Sequence, residues 1–150
     1  MTAFSREVEE ELRAAGWEPE RSVNAAEWLS TYELRGIVVH EAAKKFLAEF
    51  GGLKFLLSGP GVSSAREPFE LDPMLCLGEE DRFSEWGADI GHSLFPIGEL
   101  AEGRYFLGID EEEAIYLVET WIASFGKMPE AMENLILGLQ PVTIDDGYES

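Results

Sequence analysis

The chain moves between two hydrophobic rhythms. Val39, Ala43, Phe46, Leu47 and Phe50 recur at spacings of three and four, as one face of a helix does. Leu53, Phe55 and Leu57 then alternate, as on a strand with one buried face. Gly51 and Gly52 stand at the change. A glycine there closes a helix in the left-handed conformation, and a second permits a tight exit. Phe46, Phe50 and Phe55 straddle this corner, which reads as the seam between a helix layer and a sheet.

The same reading assigns the rest. Phe4, Val8, Leu12 and Ala15 share a face of a first helix, stopped by Gly16. A second begins at Asn24, with Glu27 completing a capping box and Val23 and Trp28 a hydrophobic staple; Trp28 and Tyr32 share its face. A third runs from about Ile37 to Phe50. Phe69 and Leu71 start a short strand limited by Pro73, and Met74, Leu75 and Leu77 are expected in the core. Glu79 to Ile90 forms an acidic helix ended by Gly91, with Phe83, Trp86 and Ile90 inward and Asp81, Glu85 and Asp89 along another face. Leu94 to Gly98 reads as buried, with Pro96 at an edge or turn.

Tyr105 to Asp110 and Ala114 to Glu119 are apolar on both faces, which predicts central strands joined by an acidic tip. Trp121 to Phe125 reads as a short strand or an extended link, broken by Gly126 and Lys127. Pro129 opens a last helix with Met132, Leu135, Ile136 and Leu139 inward, ending at Gly138 and Pro141. The tail over 141–150, with Asp145, Asp146 and Glu149, is expected to be loose. The sum is one α+β domain over 1–150, with N-terminal helices and a C-terminal helix on a mixed, mostly antiparallel sheet.

Charge narrows the kinds of partner without identifying one. Thirty acidic side chains face eleven basic ones, a formal net charge of -19. Such a chain repels nucleic acid and anionic lipid and favours encounter with a basic protein. No stretch is apolar enough to span a membrane, and Phe4 is followed by Arg6 and Glu7 rather than an apolar run, so a cytoplasmic protein is expected.

Catalytic chemistry is thin. His40 and His92 lie in no metal-spaced motif, and Cys76 sits between Leu75 and Leu77 as a buried thiol would. A Cys76–His92 pair or paired carboxylates would be needed for a small hydrolase. The Ser58-Gly59-Pro60-Gly61 loop has no Gly-Lys-Ser/Thr ending for phosphate. No metal or cofactor is expected.

Several stretches together resemble a known family. They are Trp28 with its helix, the Ala42-Ala43 helix, Phe46 to Leu53 with its Phe-Gly-Gly corner, Pro96-Ile97-Gly98-Glu99, and the Tyr116 strand. In order and separation, from Val8 to Leu139, they resemble the SUKH superfamily and within it the third family of bacterial immunity proteins. The resemblance implies a compact α+β domain without catalytic residues. It implies a cytoplasmic protein that binds the toxic domain of a polymorphic or contact-delivered toxin, often a nuclease or nucleic-acid deaminase. The matched Phe50, Gly51, Gly52, Leu53, Pro96, Ile97 and Gly98 are then fold-defining. Where the family places a glycine near the hairpin turn, this chain has Glu111-Glu112-Glu113.

The expected function is therefore stoichiometric inhibition of a basic toxin, by a monomer or homodimer with no direct contact to nucleic acid or membrane. The contacts expected are Asp81, Glu85, Asp89, Glu111, Glu112 and Glu113, with Trp86 as an anchor. A regulatory or scaffolding module that binds another protein is the alternative.

Overall fold

Alternating apolar positions in the second half build the sheet. The computed structural model describes residues 3–147. Its strands are β1 (Lys54–Phe55), β2 (Phe69–Glu70), β3 (Phe95–Leu100), β4 (Tyr105–Ile109), β5 (Ala114–Val118), β6 (Ile122–Lys127) and β7 (Val142–Asp145). They lie side by side in chain order, and every neighbouring pair is antiparallel. The helices are α1 (Arg6–Ala14), α2 (Ala26–Glu33), α3 (Glu41–Phe50), α4 (Glu80–Ile90) and α5 (Glu130–Leu137). The architecture is the α+β arrangement expected.

Cross-strand partners share a face. Ile109 lies opposite Ile115 and Leu107 opposite Leu117; on this face β6 packs against α5, and α5 against α1. Gly108 opposite Tyr116 and Phe106 opposite Val118 belong to the other face, which α4 covers. Phe83 of α4 comes so close that a Cβ on Gly108 would lie 2.8 Å from its ring. Both faces of β4 and β5 are thus buried, as their continuous apolar run required.

The corner after α3 works differently from the expectation. Gly51 is not left-handed, with φ -58 and ψ 137. It supplies space: a Cβ there would sit 2.4 Å from Trp28 and 2.5 Å from the Leu47 carbonyl. The left-handed residue is Gly52, at φ 86. The carbonyls left open at the end of α3 are captured by Arg21, which donates to Glu49 O at 2.7 Å and Gly51 O at 2.9 Å. Phe50 packs on Phe46 and Trp17, while Phe55 stacks on its cross-strand partner Phe69 at 4.3 Å.

Several boundaries move for local reasons. α1 starts at Arg6 because Ser5 caps it. Asn24 accepts the Ala26 N–H rather than that of Glu27, so α2 begins at Ala26 without the expected capping box. α3 begins at Glu41, not Ile37, because the His40 ring caps it through the Ala43 N–H. A 3-10 turn at Pro73–Cys76 turns Leu75 and Leu77 outward, leaves Met74 half-buried, and puts Pro73 and Cys76 in the core. Pro96 lies within β3 at a bulge; β2 reaches only Glu99 and Leu100, so no strand needs an N–H from the proline's outer side. β6 runs through Gly126 and Lys127, with a register shift at Ile115/Tyr116 absorbing the irregularity. The tail expected to be loose pairs with β6 as β7 over Val142–Asp145. Glu149 lies outside the described residues.

Candidate functional site: an acidic groove along the α4 helix

α4 is held by its apolar edge. Phe83 is fully buried, and Trp86 and Ile90 pack on the core while half-buried. Gly91, left-handed at φ 76, ends the helix. This anchoring turns Asp81, Glu85 and Asp89 outward as one exposed strip. Carboxylates four apart on a helix repel one another by a few tenths of a kcal/mol per pair.

The strip is one wall of a groove of about 420 Å³. The turn after β5 supplies the other wall, Glu119 and Thr120, and Glu79 closes one end. Trp86 reaches across, donating its indole Nε1–H to the Glu119 carbonyl at 2.8 Å. Arg82 ties the walls: it pairs with Glu79 at 3.4 Å and with the Glu119 carboxylate, and lies over the Phe106 ring at 5.9 Å. The groove holds five carboxylates against this one guanidinium. Arg82 is engaged with Glu79 and Glu119. Among the described residues no cation lies within ion-pair distance of Asp81, Glu85 or Asp89. The structure thus brings together four of the residues singled out in the sequence. Glu79 and Arg82 join them from α4 and its start, and Glu119 and Thr120 only through the packing of the turn after β5 against α4.

The acidic tip behaves otherwise. Asp110 is buried and builds the turn: its carboxylate accepts the N–H groups of Glu112 and Ala114 and the Tyr116 hydroxyl at 2.7 to 3.0 Å. Glu113 takes a left-handed backbone, φ 70, where a glycine would be at ease. Each of the three glutamates meets a cationic or protonatable partner within the chain. Glu111 accepts from His92 at 2.8 Å, Glu112 lies 3.7 Å from Lys127, and Glu113 lies 3.3 Å from Lys45. The Glu111 hydrogen bond, reinforced by Asp110 and Glu112, raises the His92 pKa above its ordinary value. Burial pushes the Glu111 carboxyl up, but the His92 and Ser93 hydrogen bonds outweigh it and leave it below the usual range. The tip therefore sits beyond the C-terminal end of α4, joined to it through His92, and apart from the groove.

The remaining candidates are occupied in the fold. Cys76 is fully buried and donates to the Gly98 carbonyl at 3.1 Å; burial raises its pKa, so the reactive thiolate is disfavoured. The His40 Nδ1 accepts from Ala43, so Nε2 carries the hydrogen, 3.0 Å from Ser93 O and 3.2 Å from Ile109 O. The N–H groups of Val62, Ser63 and Ser64 donate to the Leu137 and Gly138 carbonyls at the end of α5, which spends them on the fold rather than on an anion. Among the described residues no group of three or more His, Cys, Asp or Glu is placed to hold a metal ion. No helix there is long and apolar enough to cross a membrane.

The sequence model for the SUKH-3 immunity protein family matches residues 4–138. The chain belongs to the SUKH-3 immunity protein family. Neither curated proteins nor solved structures give a match. The matched stretch takes in every element from α1 to α5, the groove and the tip included. Membership in an immunity family implies a cognate toxin as partner.

Proposed function

We propose that this SUKH-3 protein binds and neutralises a cognate bacterial toxin domain in the cytoplasm, by stoichiometric contact and with no chemistry of its own. The toxin surface is basic, as expected of a nuclease or nucleic-acid deaminase that must hold a polyanion. The groove along α4 is the seat of that contact, with Trp86 as its anchor.

The observation that carries this reading is the lack of partners for Asp81, Glu85 and Asp89 beside an ordered indole. Lysine or arginine from a toxin would relieve their mutual repulsion and gain charge-assisted hydrogen bonds. A net charge of -19 would steer the encounter. Steering raises association rates from about 10⁵–10⁶ to as much as 10⁸–10⁹ M⁻¹s⁻¹ at low salt. The tip glutamates serve as a secondary contact, because a stronger cation must first displace His92, Lys127 or Lys45.

Coexpression with its cognate toxin tests the reading. A one-to-one complex and restored growth of the host are expected. Growth left unrescued, with no complex at low salt, would contradict it.

A further inference from the structure

The two edges of the sheet are unlike. β1 is two residues long and carries Lys54, and a short, charged edge discourages further pairing. β7 is last in the strand order, so among the described residues no strand pairs with its outer side. Val142-Thr143-Ile144-Asp145 has no lysine or proline to blunt that edge. Val142 and Ile144 are 72% and 48% exposed; Ile144 sits in a bulge, since Ile122 faces Asp145 while Ala123 faces Thr143. Thr143 lines a cavity with Leu135 of α5. Apart from its bulge and Asp145, this edge with two exposed apolar side chains is a template for an added strand, in which main-chain hydrogen bonds give affinity and side chains give selectivity.

Charge decides the occupant. A second copy would bring another -19 to the same edge. The acidic end of β7 also runs toward the groove. Asp145 and Asp146 are followed by Gly147, whose backbone lies against Thr120 so closely that a Cβ would sit 2.2 Å from the Thr120 carbonyl. Thr120 borders the groove beside Glu119. The acidic end of the edge thus lies beside that groove, whose field reaches about 10 Å at ordinary salt.

We propose that β7 is a docking edge to which the partner adds a basic, extended segment, continuing the antiparallel sheet by one strand. Its apolar side chains meet Val142 and Ile144, and its lysines or arginines face Asp145. This rests on the immunity reading above and names the form in which the toxin is held.

The test uses the full chain and three capped heptapeptides. The probe is Lys-Val-Lys-Val-Lys-Val-Lys. One control replaces the central valine with proline, and the other replaces every lysine with glutamate. Amide exchange read by NMR at low salt is expected to slow at least fivefold over residues 142–146 with the probe and to stay unchanged with either control. Ile144→Lys should abolish the effect while leaving the spectrum folded. Equal protection by the proline peptide, protection confined to α4, or none at 142–146 overturns the proposal. Protection of these amides without peptide, in a dimer, overturns it in favour of a second copy. None of these outcomes touches the immunity reading, which fails instead on the absence of a toxin complex.

Discussion

Trp86 donates its indole N–H to the main-chain carbonyl of Glu119 at 2.8 Å, across 33 residues of sequence. This bond locks α4 to the turn after β5 and gives the groove its second wall. Trp86→Phe should keep the packed ring and lose the bond. The expected cost is about 1 kcal/mol of stability, the usual net worth of such a bond. Urea denaturation reads the stability, and toxin dissociation should quicken with it. An unchanged denaturation midpoint would show that the bond holds nothing together.

Arg21 closes the end of α3 by taking two carbonyls. Arg21→Ala should cost about 2 kcal/mol, since hydrogen bonds from a charged donor are worth about 1.5–3 kcal/mol and these are partly exposed. Gly51→Ala should cost at least as much for a different reason, because its methyl group would overlap Trp28. Denaturation midpoints of both variants check this.

Glu113 holds a left-handed backbone at the hairpin turn. That conformation costs a non-glycine residue about 1–2 kcal/mol. Glu113→Gly should therefore stabilise the fold by up to about 1 kcal/mol, despite losing the exposed ion pair with Lys45. Glu113→Val should destabilise it by about as much. Thermal melting of the two variants reads the opposite signs.

His92 and Glu111 make a pH-dependent clasp on the tip. The His92 pKa is raised, so its contribution is complete below the ordinary 6.5 and is lost as pH rises through the higher folded value. The Glu111 pKa is lowered, so its contribution is complete above the ordinary 4.5 and is lost as pH falls through the lower folded value. The clasp is then fully made between about pH 4.5 and pH 6.5. Both groups are partly exposed, so it is worth under about 1 kcal/mol. The stability difference between the parent and His92→Gln should be largest in that window and decay above it. A difference that stays level to alkaline pH would mean the imidazolium does not hold the tip.

What the sequence disclosed follows the range of the forces involved. The acidic strip on α4 was legible because Asp81, Glu85 and Asp89 obey helix spacing, and β4 and β5 because their apolar runs admit only a buried place. The cap at His40 was not legible: its ring answers to Ala43 nearby but also to Ser93 and Ile109, 53 and 69 residues away. Gly51 misled for the same reason, since the group it makes room for is Trp28 in another helix. β7 was hidden because a short stretch between Pro141 and two acids looks like a tail until β6 offers it a partner. Glu119 joined the site only through its long-range bonds to Trp86 and Arg82. The tip glutamates promised a contact surface that the chain partly uses itself, through Lys45, Lys127 and His92.

The central claim is that the unpaired carboxylates on α4 receive the toxin. The direct measurement is the association rate of the cognate toxin domain with the parent and with the triple variant Asp81→Lys, Glu85→Lys, Asp89→Lys, across a salt series. All three side chains are exposed, so the variant should stay folded. Its association should slow at least a hundredfold at low salt, lose most of its salt dependence, and no longer protect the host. A triple variant that binds as fast as the parent, and still protects, would contradict the claim.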